Sequence, residues 1–308
     1  MNKLPPDIFV NLSELRLLEK MADGFSFLAR KQRVKSILGG KHSSKLRGRG
    51  LDFEEVRAYA YGDDIRNIDW KVTARTKKTH TKVFTEEKER PVFIVVDQSA
   101  SMFFGSRKYT KSVVAAKLAA LAAFRVIKDG DRIGGMVFGN NKSEIILPKR
   151  DRKNVMLFLR KIEEMNHELR YVQNIEFSSA LKSAIMKLHN IVTHDFLVLI
   201  ISDFTRYHTD TIKAIISNSK HNNIMLAKVT DPLEKFLPEE KIIAGNLSKQ
   251  ILLNGKSSHE SRMYSSLYNS RLQEFENKLK QYNVPLLNFN TYEEVDSQLK
   301  EILKSKNQ

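Results

Sequence analysis

Strands alternating with helices predict a doubly wound, mostly parallel α/β sheet with an N-terminal α+β extension. Three observations carry this. Val92-Phe93-Ile94-Val95-Val96 and Phe196-Leu197-Val198-Leu199-Ile200-Ile201 are unbroken apolar runs, the pattern of strands buried on both faces, as in a parallel sheet. Segments of helical periodicity separate the strand-like runs along the chain. One of these segments is rich in alanine at Ala115, Ala116, Ala119, Ala120, Ala122 and Ala123, which allows close packing of a helix on a sheet.

Each element follows in order. Leu12, Leu15, Leu18 and Met21 recur at helical spacing, so Asn11 to Met21 reads as a short helix with Gly24 as its stop. Gly39-Gly40-Lys41-His42-Ser43-Ser44 reads as a loop. It is not a phosphate loop, because Lys35 stands where the first glycine of that motif belongs. From Pro91 a strand runs to Asp97. A helix from about Lys108 to Lys128 follows, ended by Gly130. Arg132 to Phe138 is a strand, and Glu144 to Leu147 a short one. Asp151 to Met165 and Phe177 to Ile191 have the spacing of amphipathic helices. After the Phe196 run come a helix at Thr209 to Lys220 and a strand at Ile224 to Val229. Asn246 and Asn254-Gly255 mark turns, so Ile242 to Leu253 predicts a small hairpin. A helix over His259 to Gln281, a strand over Val284 to Phe289 and a helix over Glu293 to Leu303 complete the chain. Residues 1–90 are expected to form a basic segment packed on the core, and 91–308 the α/β domain. The sequence shows no internal repeat.

With 308 residues, 41% of them apolar, the chain is long enough for a sizeable core. It has no cysteine, which excludes disulfides, thiolate zinc sites and cysteine nucleophiles. The N-terminus has no apolar run of the secretory type. No apolar stretch reaches the roughly 18 residues of a spanning helix. These features read as a cytoplasmic protein. Net charge is +16, from 52 Lys+Arg against 36 Asp+Glu. Part of the excess is concentrated at Arg30, Lys31, Arg33, Lys35, Lys41, Lys45, Arg47 and Arg49, with no acid among them. This 30–49 stretch reads as a solvated arm or as a patch for polyanions. No aromatic residue is interleaved there for base stacking.

Asp97, Ser99 and Ser101 follow directly on a buried strand. Alternate side chains of extended backbone point the same way, so a carboxylate and two hydroxyls can converge. Ligands of open α/β sheets bind outside the carboxyl ends of strands. Asp203 ends a second apolar strand and is expected in the same crevice. An all-oxygen set of this kind suits Mg²⁺, and an incompletely coordinated metal accepts a carboxylate from a partner. The competing reading is that Asp97 and Ser99 cap the next helix.

Val95-Val96-Asp97-Gln98-Ser99-Ala100-Ser101-Met102 resembles the first loop of a von Willebrand factor A domain with its metal-ion-dependent adhesion site. Gly48-Arg49-Gly50-Leu51-Asp52-Phe53, Arg57-Ala58-Tyr59, Gly62-Asp63-Asp64-Ile65-Arg66-Asn67-Ile68-Asp69-Trp70 and Ala74-Arg75 resemble the signature of the family called domain of unknown function 58. Asp231-Pro232-Leu233-Glu234 and Leu237-Pro238 are similar to that family as well. The resemblance covers about residues 40 to 300. It implies a von Willebrand A-like fold and association with MoxR-type AAA+ ATPases in chaperone-like maturation or stress functions. Many relatives carry membrane helices before the signature, a feature not carried over here. The family's second metal loop offers a threonine. The matching stretch is Gln173-Asn174-Ile175-Glu176, where Ile175 has no side-chain oxygen, so a Mg²⁺ site would be weakened, with Glu176, Ser178 or water as substitutes.

Within the signature, Arg57, Asp63, Asp64, Arg66, Asp69, Trp70 and Arg75 read either as a partner-docking surface or as an ion-pair network around a buried Trp70, the structural version being favoured. His189, His194 and His208 lack the spacing of a metal pair. Asp231 and Glu234 fit a turn and a helix cap. No G-x-S-x-G elbow is present and no base is assigned to Ser99 or Ser101. The function expected is a non-enzymatic protein-binding adaptor that uses the Asp97 site, with a MoxR-type ATPase or its client as partner. The alternatives are a nucleic-acid or anionic-membrane binder working through 30–49, and a Mg²⁺-dependent hydrolase.

Overall fold

The computed structural model describes residues 4–23, 51–86, 91–171, 180–205, 209–245, 250–254 and 258–304. The chain opens with α1 (Leu12–Leu17). Residues 51–86 contribute β1 (Leu51–Ala58), α2 (Trp70–Thr76) and β2 (His80–Glu86) and form a unit of their own. The α/β unit resumes with β3 (Pro91–Asp97), α3 (Lys111–Lys128), β4 (Arg132–Phe138), β5 (Ser143–Lys149), α4 (Arg152–Glu168), α5 (Ala180–Ile191), β6 (Leu197–Ser202), α6 (Thr209–Ser219) and β7 (Asn223–Thr230). It ends with α7 (Pro232–Lys235), β8 (Lys241–Gly245), β9 (Gln250–Asn254), α8 (Ser258–Lys280), β10 (Leu286–Asn290) and α9 (Val295–Lys304). The segment 1–90 is thus divided, since its first helix belongs to the α/β unit.

The central sheet has six strands in the order β10-β7-β6-β3-β4-β5. All neighbours run parallel except β4 and β5. The expected doubly wound, mostly parallel sheet is therefore present. Alternation along β3 shows why its sequence is continuously apolar. Val92, Ile94 and Val96 enter one core with α3 and α4, whereas Phe93 and Val95 enter the other with α5 and α6. Both faces are covered, so neither set of positions tolerates a polar side chain. The chain winds from β3 outward through β4 and β5, then returns to β6 and winds the other way. The order reverses between β3 and β6, and ligands of such sheets bind at that point.

α3 starts at Lys111 rather than Lys108 because Thr110 is its N-cap, accepting from the Val113 N–H. Its alanines are buried, and it ends where Gly130 turns left-handed at φ +82°. On β4, a Cβ at Gly135 would collide with the Phe158 ring of α4 and the Ile94 carbonyl, so glycine lets that helix approach the sheet. At the N-terminus, Asn166 Oδ1 accepts from Val10 N at 2.9 Å and Glu163 from Leu12 N at 2.7 Å, which fastens α1 to α4. The expected small hairpin is β8 paired antiparallel with β9. No described helix is long and apolar enough to cross a membrane.

In the other unit β1 and β2 pair antiparallel, with a bulge between Phe53 and Glu55. Asp69 caps α2, accepting from Lys71 N and Val72 N, and lies 3.7 Å from Lys82. Asp64 caps a 3-10 turn at Ile65–Asn67. Arg57 and Asp63 form a two-bond fork at 2.8 and 2.7 Å, and Asp63 also accepts from Ala60 N. Trp70 corrects the expectation of a buried wedge. It is the first residue of α2 and is 70% exposed. Arg66 and Arg75 are exposed and form no ion pair among the described residues. The basic stretch 30–49 and the Gln173–Glu176 loop with Ile175 lie outside the described residues.

Candidate functional site

Asp97 is the last residue of β3 and is buried. Backbone at Ser99 then turns into a short 3-10 segment, Ala100–Met102. Asp97 Oδ1 accepts from Ser99 N at 2.8 Å, and Oδ2 accepts from the Ser202 hydroxyl at 2.6 Å. The Ser99 and Ser101 hydroxyl oxygens lie 3.2 Å apart, brought together by the 3-10 turn at Ala100–Met102 rather than by the alternation of extended backbone on which the sequence expectation rested. Asn140 Oδ1 accepts from Ala100 N at 2.9 Å and holds the loop from the β4 side. Behind it, Gln98 donates to the Ser112 carbonyl and accepts from Asn166. The loop is therefore fixed from α3, α4 and the β4–β5 turn.

The strand beside it, β6, ends in Ser202, Asp203 and Phe204. Phe204 is a buried residue in left-handed backbone, φ +48°, a conformation that costs about 1 kcal/mol or more outside glycine. Its ring lies 5.5 Å from Phe275, which helps hold the turn. The turn sends Asp203 toward α3. There Lys111 Nζ, itself buried, donates to Asp203 Oδ2 at 2.7 Å and to Glu234 Oε1 at 2.5 Å. Thr205 N donates to Asp203 Oδ1, and Lys228 Nζ to the Asp203 carbonyl.

The two carboxylates consequently differ in charge behaviour. Burial, then the neighbouring Asp203 charge, push Asp97 up to about 6 against weaker hydrogen bonding from Ser202 and Ser99. Burial alone would raise Asp203 too, but the Lys111 ammonium outweighs it and holds Asp203 below its ordinary value. Lys111 is raised for the reciprocal reason, its two carboxylates overcoming burial. Lys228 goes the other way, lowered by burial.

All four sequence-predicted residues, Asp97, Ser99, Ser101 and Asp203, thus gather at the reversal point of the sheet. Ser202, Lys111 and Glu234 were not anticipated. Ser202 was visible as the polar residue between an apolar strand and an acid. Lys111 carried no signal, since lysine at a helix start ordinarily faces water. The donor chemistry of Asp97, Ser99 and Ser101 is that of a hard-cation site completed by water. Asp203 is occupied by Lys111 and does not fit as a direct ligand. Among the described residues no three His, Cys, Asp or Glu side chains form a metal-holding group. His189 and His194 are exposed and stand apart from the crevice strands. Asp231 forms the expected helix cap, a complete capping box with Glu234.

A doubly wound α/β domain with a polar crevice at its reversal point is the class that fold and site define. Its family is given by sequence. The chain belongs to the family described as "Protein of unknown function DUF58", whose profile matches residues 55–248. It is 28% identical over 209 residues to "Uncharacterized protein Rv1480" of Mycobacterium tuberculosis (strain ATCC 25618 / H37Rv) and to "Uncharacterized protein Mb1516" of Mycobacterium bovis. The match covers 68% of this chain and 64% of each relative, so it spans less than two thirds of their length. Similar solved structures include the conserved hypothetical protein BatB from Bacteroides thetaiotaomicron (13% identity, TM-score 0.42, 71% of this chain and 98% of that one). Another is the SpRpn10 VWA domain (12% identity, TM-score 0.36, 69% and 94%).

Proposed function

We propose that this protein is a non-enzymatic binding module. In this reading, Asp97, Ser99 and Ser101 hold Mg²⁺ at the end of β3, and the metal takes a carboxylate of a partner protein. The observation that supports it is the convergence of one buried carboxylate and two hydroxyls where the sheet order reverses. Asp97 faces only neutral donors, and its raised affinity for a proton marks a place where a divalent cation would relieve unfavourable burial. Lys111 keeps Asp203 behind the metal rather than on it. Against catalysis, the Ser99 hydroxyl faces Ser101 and the Asp97 carboxylate, and among the described residues no histidine is hydrogen-bonded to either serine. The family resemblance suggests a MoxR-type AAA+ ATPase or its client as the partner, in the cytoplasm.

Two measurements test this. Mg²⁺ titration followed by thermal shift is expected to stabilise wild type and to have no effect on Asp97→Ala. Affinity capture from the source cell should retain a partner with wild type in Mg²⁺, but not in EDTA and not with folded Asp97→Ala. Equal retention in all three moves the function away from Asp97.

A further inference from the structure

The geometry points to a second binding site on the α/β unit, suited to an acidic segment of a partner protein that carries an aromatic or apolar anchor. It goes beyond the Asp97 reading and does not depend on it. A cavity of ≈ 500 Å³ lies at the carboxyl ends of β7 and β10, lined among others by Arg107, Asp231, Lys235, Phe236, Tyr268 and Tyr292. Its volume is that of a ligand-binding cleft.

The acids around it are already committed. Asp231 accepts from Ser106 N, Ser106 Oγ, Thr291 Oγ1 and Leu233 N. Burial would raise it, but these donors outweigh burial and hold it below its ordinary value. Glu234 is bound to Lys111 and to Asp231 N. Arg107 and Lys235 form no ion pair among the described residues, so two cations face the cavity without an acid of their own. Between them stand aromatic side chains with much of their surface in solvent, Phe236 at 55% and Tyr292 at 48%. Lys235 Nζ lies 5.0 Å from the Phe236 ring centroid. Aromatic walls take an apolar anchor, and a free guanidinium takes a carboxylate as a fork.

A nucleotide fits less well. Phosphate sites are built from successive free backbone N–H groups at a helix start. Here α7 has four residues, a proline at its start, and a capping box that uses the N–H groups on offer.

The test is fluorescence anisotropy of a short labelled peptide rich in Glu and Phe, added to the full chain in EDTA. Saturable binding is expected, unchanged in Asp97→Ala, so loss of the metal reading leaves this readout intact. Arg107→Glu combined with Lys235→Glu should weaken binding by about tenfold or more. Phe236→Ala should weaken it with the charges unaltered. Equal binding of a peptide with Lys in place of Glu, or an unchanged affinity in the double variant, overturns the proposal. Displacement of the peptide by AMP overturns it in favour of a nucleotide.

Discussion

Asp97 and Asp203 close neighbouring strands of one sheet, both buried, and yet they carry opposite electrostatic histories. Asp97 is satisfied by a hydroxyl and a backbone N–H; Asp203 is satisfied by an ammonium. The difference comes from the helix that follows β3. Its first residue, Lys111, reaches Asp203, whereas Asp97 meets only the neutral donors Ser99 N and the Ser202 hydroxyl. Asp97 stands level with Ser202, and Asp203 lies one residue further on, so two aspartates at neighbouring strand ends become an ion pair in one case and a cation-poor carboxylate in the other. The lesson is that a carboxylate's role is set by what its neighbours lack.

The comparison breaks most severely at Lys111. Lys111→Met leaves Asp203 and Glu234 buried without their cation and is expected to cost about 3–5 kcal/mol in urea unfolding. Adding Asp203→Asn and Glu234→Gln should recover much of that loss. A small cost for the single variant would mean that the pair is not buried as described.

Asp97→Asn should act in the opposite direction. In metal-free protein the folded value of about 6 exceeds the ordinary 3.8, so the fold binds more protons than the unfolded chain between these values. Stability is then full below about pH 4 and falls as pH rises through about 6, by a few kcal/mol at most. The variant should remove that slope and be more stable than wild type at pH 7 by roughly 1–3 kcal/mol. Denaturation at pH 4, 5, 6 and 7 in EDTA reads this directly, and parallel pH profiles would count against it.

Ser202→Ala sharpens the contrast more gently. It deletes a donor to a buried carboxylate and is expected to cost about 1.5 kcal/mol at pH 7, with less cost at pH 4, where Asp97 is protonated. Ser101→Ala is the mildest, within about 0.5 kcal/mol of wild type because the side chain is only half-buried, while Mg²⁺-dependent stabilisation is lost. A full Mg²⁺ response in Ser101→Ala would remove that hydroxyl from the site.

Much of this arrangement was legible in the chain itself. The runs at β3 and β6 declared strands covered on both faces, and the alanines of α3 declared a helix laid close on the sheet. Asp97, Ser99 and Ser101 could be picked out together as the residues after a buried strand, although the strand ends at Asp97 and a 3-10 turn, not strand alternation, carries Ser101 to Ser99. Lys111 could not, because its partners Asp203 and Glu234 lie 92 and 123 residues away, and only the winding order brings them to one point. Trp70 misled as well. A lone tryptophan suggests burial, but here it occupies the first position of α2 and is mostly exposed. The start of α3 shifted by three residues because Thr110, not an earlier residue, supplies the cap.

Fourteen of the eighteen residues of α3 are buried, Lys111 among them. A helix enclosed to that degree exchanges its central amide protons only when the whole unit opens. The crevice charges are set in place at its first turn, so their arrangement is completed during folding rather than at encounter. A ligand arriving there would meet finished geometry, with little ordering left to cost it affinity, and its lifetime in the crevice would then be governed chiefly by the contacts it makes there.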